Sequence, residues 1–143
     1  MRCRLYLSLF LFGFLSDCAT LTPAYRQDIV ELSKDTNNQL GKILTTLNTH
    51  ANNDVAYAEV EDYFVSALTD MSTVKEITAS RTATKAKTPL AGFSSDAADT
   101  CWQQIDQQRA GWAGHGKTAR VLGLETVRDV CLHVGELESY YKR

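Results

Sequence analysis

Proline and glycine are scarce in this chain of 143 residues, which contains two prolines and eight glycines. Both residues interrupt helices, so their scarcity favours an α-helical protein. No segment alternates apolar and polar residues well enough to predict a strand. Stripes of basic residues with interleaved aromatics are missing and the net charge is −2, so we expect no nucleic acid partner.

The sequence also lacks the usual patterns of catalytic and metal sites. The histidines, His50, His115 and His133, do not follow HExxH or another metal-ligand spacing. The carboxylates of Glu136 and Glu138 fall where a solvated helix face would carry charge. We therefore predict a protein that is not an enzyme and that binds neither a metal nor a cofactor.

The N-terminal segment has the features of an export signal. Arg2 and Arg4 precede the apolar run Leu5–Leu15, and Cys18 follows shortly afterwards. A positive start followed by a short apolar run is typical of a secretory signal peptide. The run is shorter than the ~20 residues that a membrane-spanning helix needs. We predict a signal peptide at residues 1–17 and one helical domain with a short N-terminal tether at residues 18–143.

The end of this leader, Leu-Ser-Asp-Cys at residues 15–18, resembles the signal of bacterial lipoproteins. In that class the cysteine receives a diacylglyceryl group and becomes the mature N-terminus. The resemblance implies lipidation of Cys18, and Ala19 after it implies sorting to the periplasmic face of the outer membrane. Asp17 stands where the class has Gly, Ala or Ser. Ordinary signal cleavage after Ala24 and an uncleaved anchor remain alternatives.

The remaining cysteines predict a disulfide. Cys3 lies in the leader and Cys18 is the acylation candidate, so Cys101 and Cys131 are left as a pair in an oxidising compartment. Two buried free thiols are the alternative. The predicted third and fourth helices would bring the pair together if they run antiparallel.

Apolar residues at spacings of three and four predict four amphipathic helices. The first is expected to open at Thr22 and Pro23, and the second to be capped by Asp54. Their apolar faces comprise Tyr25, Ile29, Leu32, Thr36, Leu40, Ile43 and Leu47 in the first, and Tyr57, Val60, Phe64, Ala67, Leu68, Met71 and Val74 in the second.

The second half of the chain predicts two further helices. Pro89 should prevent continuation of the second helix, which makes 88–95 the longest internal loop, and Ser95 or Asp96 should cap the third helix. Glycines between residues 111 and 116 should end it, and Thr118 or Gly123 should begin the fourth. Short loops between such helices predict a small all-α bundle of up-down topology.

The segment Gly111–Thr118 matches the phosphate-binding loop of nucleotide hydrolases letter for letter. That loop requires a buried strand before it, whereas glutamines dominate the preceding residues here. We therefore predict a glycine-rich turn that binds no nucleotide. Trp112, beside His115 and Lys117, marks either a contact site or a side chain that folds back over the end of the bundle.

These observations predict an exported, lipid-anchored envelope protein that binds another envelope protein or a cell-wall component. Its expected partners are the membrane, through the lipid, and an envelope protein. Two alternatives remain open. One is a small inhibitor or immunity protein that blocks a toxin or hydrolase in the envelope, and the other is a ligand- or cofactor-binding helical bundle.

Overall fold

Four long helices make up nearly all of the structure. The computed structural model describes residues 24–50, 55–83 and 89–142. Within these ranges the helices are α1 (Gln27–Thr49), α2 (Glu61–Ala83), α3 (Pro89–Ala110) and α4 (Lys117–Ser139). Short 3-10 turns occupy Tyr57–Glu59, Trp112–Gly114 and Tyr140–Lys142, and the described residues include no strand. The predicted all-α fold is confirmed.

The helices form a closed ring in which each packs against two neighbours. Neighbouring pairs are α1 with α2, α2 with α3, α3 with α4, and α4 with α1. The start of α1 meets the ends of α2 and α4 around Ala24, Arg81 and Glu138. We call this the entry end. The opposite end, around Val55, Trp112 and Lys117, is the distal end.

The centre of the ring is an apolar core to which all four helices contribute. The predicted faces supply it, because apolar residues three and four positions apart lie on one side of a helix. The fully buried members include Ile29, Leu40, Ile43, Leu47, Phe64, Met71, Val74, Ala98, Ile105, Leu124 and Val134.

A disulfide joins α3 to α4 inside this core, as the sequence predicts. The sulfur atoms of Cys101 and Cys131 are 2.04 Å apart, their Cα atoms are 5.0 Å apart, and both residues are fully buried. The bridge closes a loop with a sequence separation of 30 residues. On the chain-entropy model such a loop stabilises the fold by about 3–4 kcal/mol.

The start of the third helix differs from the prediction. α3 begins at Pro89, so residues 89–95 are helical, and Ser95 and Asp96 lie inside the helix instead of capping it. Proline suits the first helical position because the amide there needs no intrahelical acceptor. Ala91, Ser94 and Ala98 form a buried stripe of small side chains on this extension. Tertiary packing therefore extends the helix through a segment that looked like a loop.

The other helix boundaries lie near their predicted positions. α1 begins at Gln27, while Thr22, Pro23 and Asp54 lie outside the described residues. α2 follows a 3-10 turn, and α4 begins one residue before Thr118. The glycine-containing turn between α3 and α4 is confirmed.

Candidate functional site

A buried ion pair lies at the entry end. Arg81, near the end of α2, binds the carboxylate of Glu138, near the end of α4, through two hydrogen bonds of 2.6 and 2.9 Å. The two side chains are 9% and 0% exposed. The prediction that Glu138 lies on a solvated face is wrong. Its position, four residues after Val134, places it on the buried side of α4.

This ion pair also holds the backbone that leads into α1. The amide of Arg26 donates a hydrogen bond of 2.6 Å to Oε1 of Glu138. The guanidinium of Arg81 donates one of 2.8 Å to the carbonyl oxygen of Ala24. The ring centroid of Tyr141 lies 4.9 Å from the same guanidinium. Residues 24–26, which we call the arm, are thereby fixed against α2 and α4.

A second ion pair belongs to the arm but is exposed. The guanidinium of Arg26 lies 2.5 Å from the carboxylate of Asp28. Hydrogen bonding from this guanidinium lowers the pKa of Asp28 below its ordinary value. Both side chains are nearly half exposed, so this pair contributes little stability. The buried Arg81–Glu138 pair is therefore the contact that positions the arm.

An apolar groove opens at the same end of the bundle, on the seam between α3 and α4. Its apolar lining, which we call the entry patch, consists of Phe93, Ala97, Leu137 and Tyr140. Phe93 is 62% exposed and Tyr140 is 54% exposed. The groove has a volume of about 430 Å³. His133 and Glu136 form its polar rim, 2.7 Å apart. Large apolar side chains are thus presented at the entry end.

At the distal end, Trp112 is part of the packing. It is 3% exposed, and its indole N–H donates a hydrogen bond of 3.0 Å to the carbonyl oxygen of Val55. Its ring meets Phe64 edge to face at 5.5 Å, and the guanidinium of Arg120 lies 4.5 Å from its centroid. Two interpretations of Trp112 were open, a contact site or a side chain that folds back. The structure shows the second: Trp112 folds back over the end of the bundle.

The other two members of the predicted contact loop differ in exposure. His115 is exposed. The ammonium group of Lys117 donates a hydrogen bond of 2.7 Å to the carbonyl oxygen of His50, which ties the start of α4 to the end of α1. The structure does not gather the three residues into one exposed cluster, because Trp112 points into the core.

The segment that matches a phosphate-binding loop follows a helix. The amide of Gly111 donates to the carbonyl oxygen of Gln107 in α3, and the amide of Gly114 donates to that of Gly111. Two amides of the glycine-rich run therefore donate to backbone carbonyl groups, one in α3 and one in the turn itself. In nucleotide hydrolases such amides point at phosphate oxygens.

Two further grooves line the outer surface of the ring. One, of about 420 Å³ between α2 and α3, includes Val65, Trp102 and Arg109. The ammonium group of Lys75 lies 4.4 Å above the ring of Trp102 and 2.6 Å from the carboxylate of Asp99. The other groove, along α1, is polar and has a volume of about 590 Å³; it is lined by Asp35, Asn37, Asn38, Gln39, Gly41, Lys42, Thr45 and Arg128.

Titratable side chains are dispersed in the described part of the chain. No group of three His, Cys, Asp or Glu residues lies close enough there to hold a metal ion. His50 lies 3.1 Å from Glu59, a surface pair like the one formed by His133 and Glu136. Burial raises the pKa of Asp70, and the nearby charge of Asp35 raises it further.

Comparison of the chain with protein-family models, curated proteins and solved structures finds no match. Among the four helices, none combines the length and apolar character needed to cross a membrane. The cysteine content of the chain predicts the disulfide, but the periodicity of its apolar residues does not predict the Arg81–Glu138 pair. The sequence does carry a signal for this ion pair. Arg81 and Glu138 have opposite charges and occupy core-facing positions near the ends of α2 and α4, and these two helices finish at the same end of the bundle.

Proposed function

We propose that this protein is a lipid-anchored envelope protein without enzymatic activity. In this proposal, Cys18 is acylated and holds the bundle at the periplasmic face of the outer membrane. The bundle then binds another envelope protein or a cell-wall component. The observation that carries the proposal is the attachment of the arm to the Arg81–Glu138 pair.

The position of the arm supports a short tether. Cys18 precedes Ala24 by six residues, which span at most about 20 Å when fully extended. Since Ala24 and Arg26 are bound to α2 and α4, this separation limits how far the entry end can lie from a lipid on Cys18. The architecture suits a domain held close to a membrane surface.

The disulfide supports export. Disulfides persist in oxidising compartments such as the bacterial periplasm and are rare in the cytosol. Because Cys101 and Cys131 are both fully buried in the core, their bond contributes to the packing of α3 against α4. A periplasmic location supplies the conditions under which this bond forms.

The outer surface supports a role in binding. The groove between α2 and α3 carries an aromatic side chain, Trp102, beside the cationic Lys75 and Arg109. Tryptophan and arginine are enriched at protein interfaces, where they contribute much of the binding energy. The core is filled with apolar side chains, so we place binding on the surface and not within the bundle.

Metabolic labelling with radioactive palmitate tests the anchor. We expect label in the wild-type protein and in Cys3→Ser, which keeps Cys18 and is the matched control. Cys18→Ser should carry no label and should be either soluble or unprocessed. Asp17→Gly should process at least as fast as wild type. An unlabelled wild-type protein would contradict the proposal, as would label retained in Cys18→Ser.

Affinity capture from detergent-solubilised membranes, with the anchor intact, tests the binding role. We expect a stoichiometric protein or cell-wall partner. Purified Cys18→Ser added to the same extract should capture this partner too, because the folded bundle makes the contact. Native mass spectrometry of the same preparation shows whether the protein has bound a small molecule. A small molecule bound in place of a macromolecular partner would favour the ligand-binding alternative.

A further inference from the structure

The entry patch places large apolar side chains where the proposed tether begins. Tyr140 follows Glu138, the acceptor of the Arg26 amide, by two residues. Phe93 lies near the start of α3, which begins at the entry end. The patch and the arm therefore share one end of the bundle. Phe93 and Tyr140 are 62% and 54% exposed, so a large part of their side-chain surface faces water.

A cation and an aromatic ring accompany the patch. The ammonium group of Lys142, in the 3-10 turn after α4, lies 5.4 Å from the ring centroid of Tyr25 in the arm. Lys142 is exposed. Tyrosine rings accumulate at the headgroup level of membranes, and exposed lysines are attracted to lipid phosphates. The entry end thus combines side chains that suit the surface of a phospholipid leaflet.

The short tether favours membrane contact by the entry end of the bundle. A lipid on Cys18 can lie no more than about 20 Å from Ala24. Leu122, the most exposed large apolar residue of α4, is 60% exposed and lies about 24 Å from Glu138 along the helix axis, toward the distal end. Since Ala24 lies at the entry end, a short tether favours membrane contact by the entry patch over contact by exposed apolar residues at the distal end.

We propose that the entry patch rests in the interfacial layer of the phospholipid leaflet that holds the anchor. Phe93 and Tyr140 lie among the headgroups and upper acyl chains, and Lys142 contacts lipid phosphate. This inference rests on the proposed lipidation of Cys18. It adds a second membrane contact, which orients the bundle with its distal end away from the bilayer.

Quenching of tryptophan emission by brominated lipids tests the contact. The acylated full-length protein is reconstituted into phosphatidylethanolamine–phosphatidylglycerol vesicles with bromine on the upper acyl chain. Phe93→Trp is compared with Leu122→Trp, since the two positions are 62% and 60% exposed. Trp102 and Trp112 are present in both variants, so the wild-type protein provides their common background.

We expect the added emission of Phe93→Trp to be quenched and shifted to shorter wavelength, while that of Leu122→Trp is unchanged. Phe93→Trp that remains unquenched on protein floating with the vesicles would overturn the inference and leave the anchor intact. Equal quenching of both variants would also overturn it. So would a blue shift at position 93 that appears only when a partner protein is bound. Absence of palmitate from the wild-type protein is a separate result and overturns both proposals.

Discussion

Arg81 and Glu138 lie 57 residues apart in the sequence and meet as a buried, two-bonded ion pair. The carboxylate also accepts the amide of Arg26, and the guanidinium also donates to the carbonyl oxygen of Ala24. One pair of side chains therefore joins three segments: the arm, α2 and α4.

Glu138→Gln should destabilise the fold by about 3 kcal/mol, because removing one charge of a buried pair leaves the other poorly compensated. Urea-induced unfolding of the full chain measures the loss. Glu136→Gln, two residues away on the exposed surface, is the matched control and should change stability by no more than about 0.5 kcal/mol. Equal unfolding midpoints for the two variants would contradict this role for the buried pair. Replacing both Arg81 and Glu138 with leucine should cost less than Glu138→Gln.

Loss of the disulfide should lower the free energy of unfolding by about 3–4 kcal/mol. The double variant Cys101→Ala/Cys131→Ala measures this change by urea denaturation. A reducing agent should destabilise the wild-type protein by a similar amount and leave the double variant unchanged. Peptide mapping without reductant should recover the two cysteines in one linked product. Free thiols at both positions in protein isolated without reductant would refute the bond.

Trp112→Ala should cost about 3–5 kcal/mol, the usual range for removing a large buried aromatic side chain. Trp112→Phe keeps a ring against Phe64 but loses the hydrogen bond to Val55, so it should cost about 1 kcal/mol for that bond. Thermal unfolding compares the two variants with the wild type. Unchanged stability of Trp112→Ala, together with loss of a binding partner, would instead make Trp112 a contact residue.

The glycine-rich segment should bind no nucleotide. Two of its amides already donate to backbone carbonyl groups of α3 and the turn, and the ammonium group of Lys117 is bound to the carbonyl oxygen of His50. Isothermal titration with ATP and Mg²⁺ should give no heat of binding at micromolar protein. Magnesium-dependent binding that disappears in Lys117→Ala would overturn this prediction. Lys117→Ala should itself cost about 1 kcal/mol or less, the scale of one hydrogen bond.

Asp70 should make the protein less stable at neutral pH than a neutral side chain would. Burial and the charge of Asp35 raise the pKa of Asp70, so its ionised form is disfavoured in the folded state. Its contribution to stability therefore rises as the pH falls through the raised folded-state pKa. Asp70→Asn should stabilise the protein at pH 7 by no more than about 0.5 kcal/mol. That gain should shrink at acidic pH.

Urea denaturation at neutral and acidic pH provides the comparison for Asp70→Asn. Glu76→Gln, an exposed change on the same helix, is the control and should not give this pH-dependent gain. A loss of stability in Asp70→Asn at pH 7 would show that the carboxylate makes favourable contacts that outweigh its desolvation.

The periodicity of apolar residues predicts the four helices because each helix buries one continuous face. It is less informative where the buried face is made of small or charged residues. Pro89 looks like the end of a helix by its own conformational preference, yet it opens α3, whose first turns bury Ala91 and Ser94. The length of α3 therefore depends on tertiary packing, which the local sequence does not reveal.

The candidate site was predictable only in part. Pairing of Cys101 with Cys131 follows from elimination and compartment, whereas Glu138 looks like any other surface carboxylate until α2 brings Arg81 to it. Trp112 illustrates the same limit, because its burial depends on Val55 and Phe64, more than 45 residues earlier. Long-range partners decide which polar and aromatic side chains turn inward.

The separation of 112 residues between Arg26 and Glu138 also sets an order of events during synthesis. Pairs of consecutive helices are joined by short connections and can meet early, whereas α1 must wait for α4 before the ring closes. The arm cannot be seated until residue 138 has emerged. The first residues of the folded bundle are therefore among the last to be fixed in place, because their partner lies near the other end of the chain.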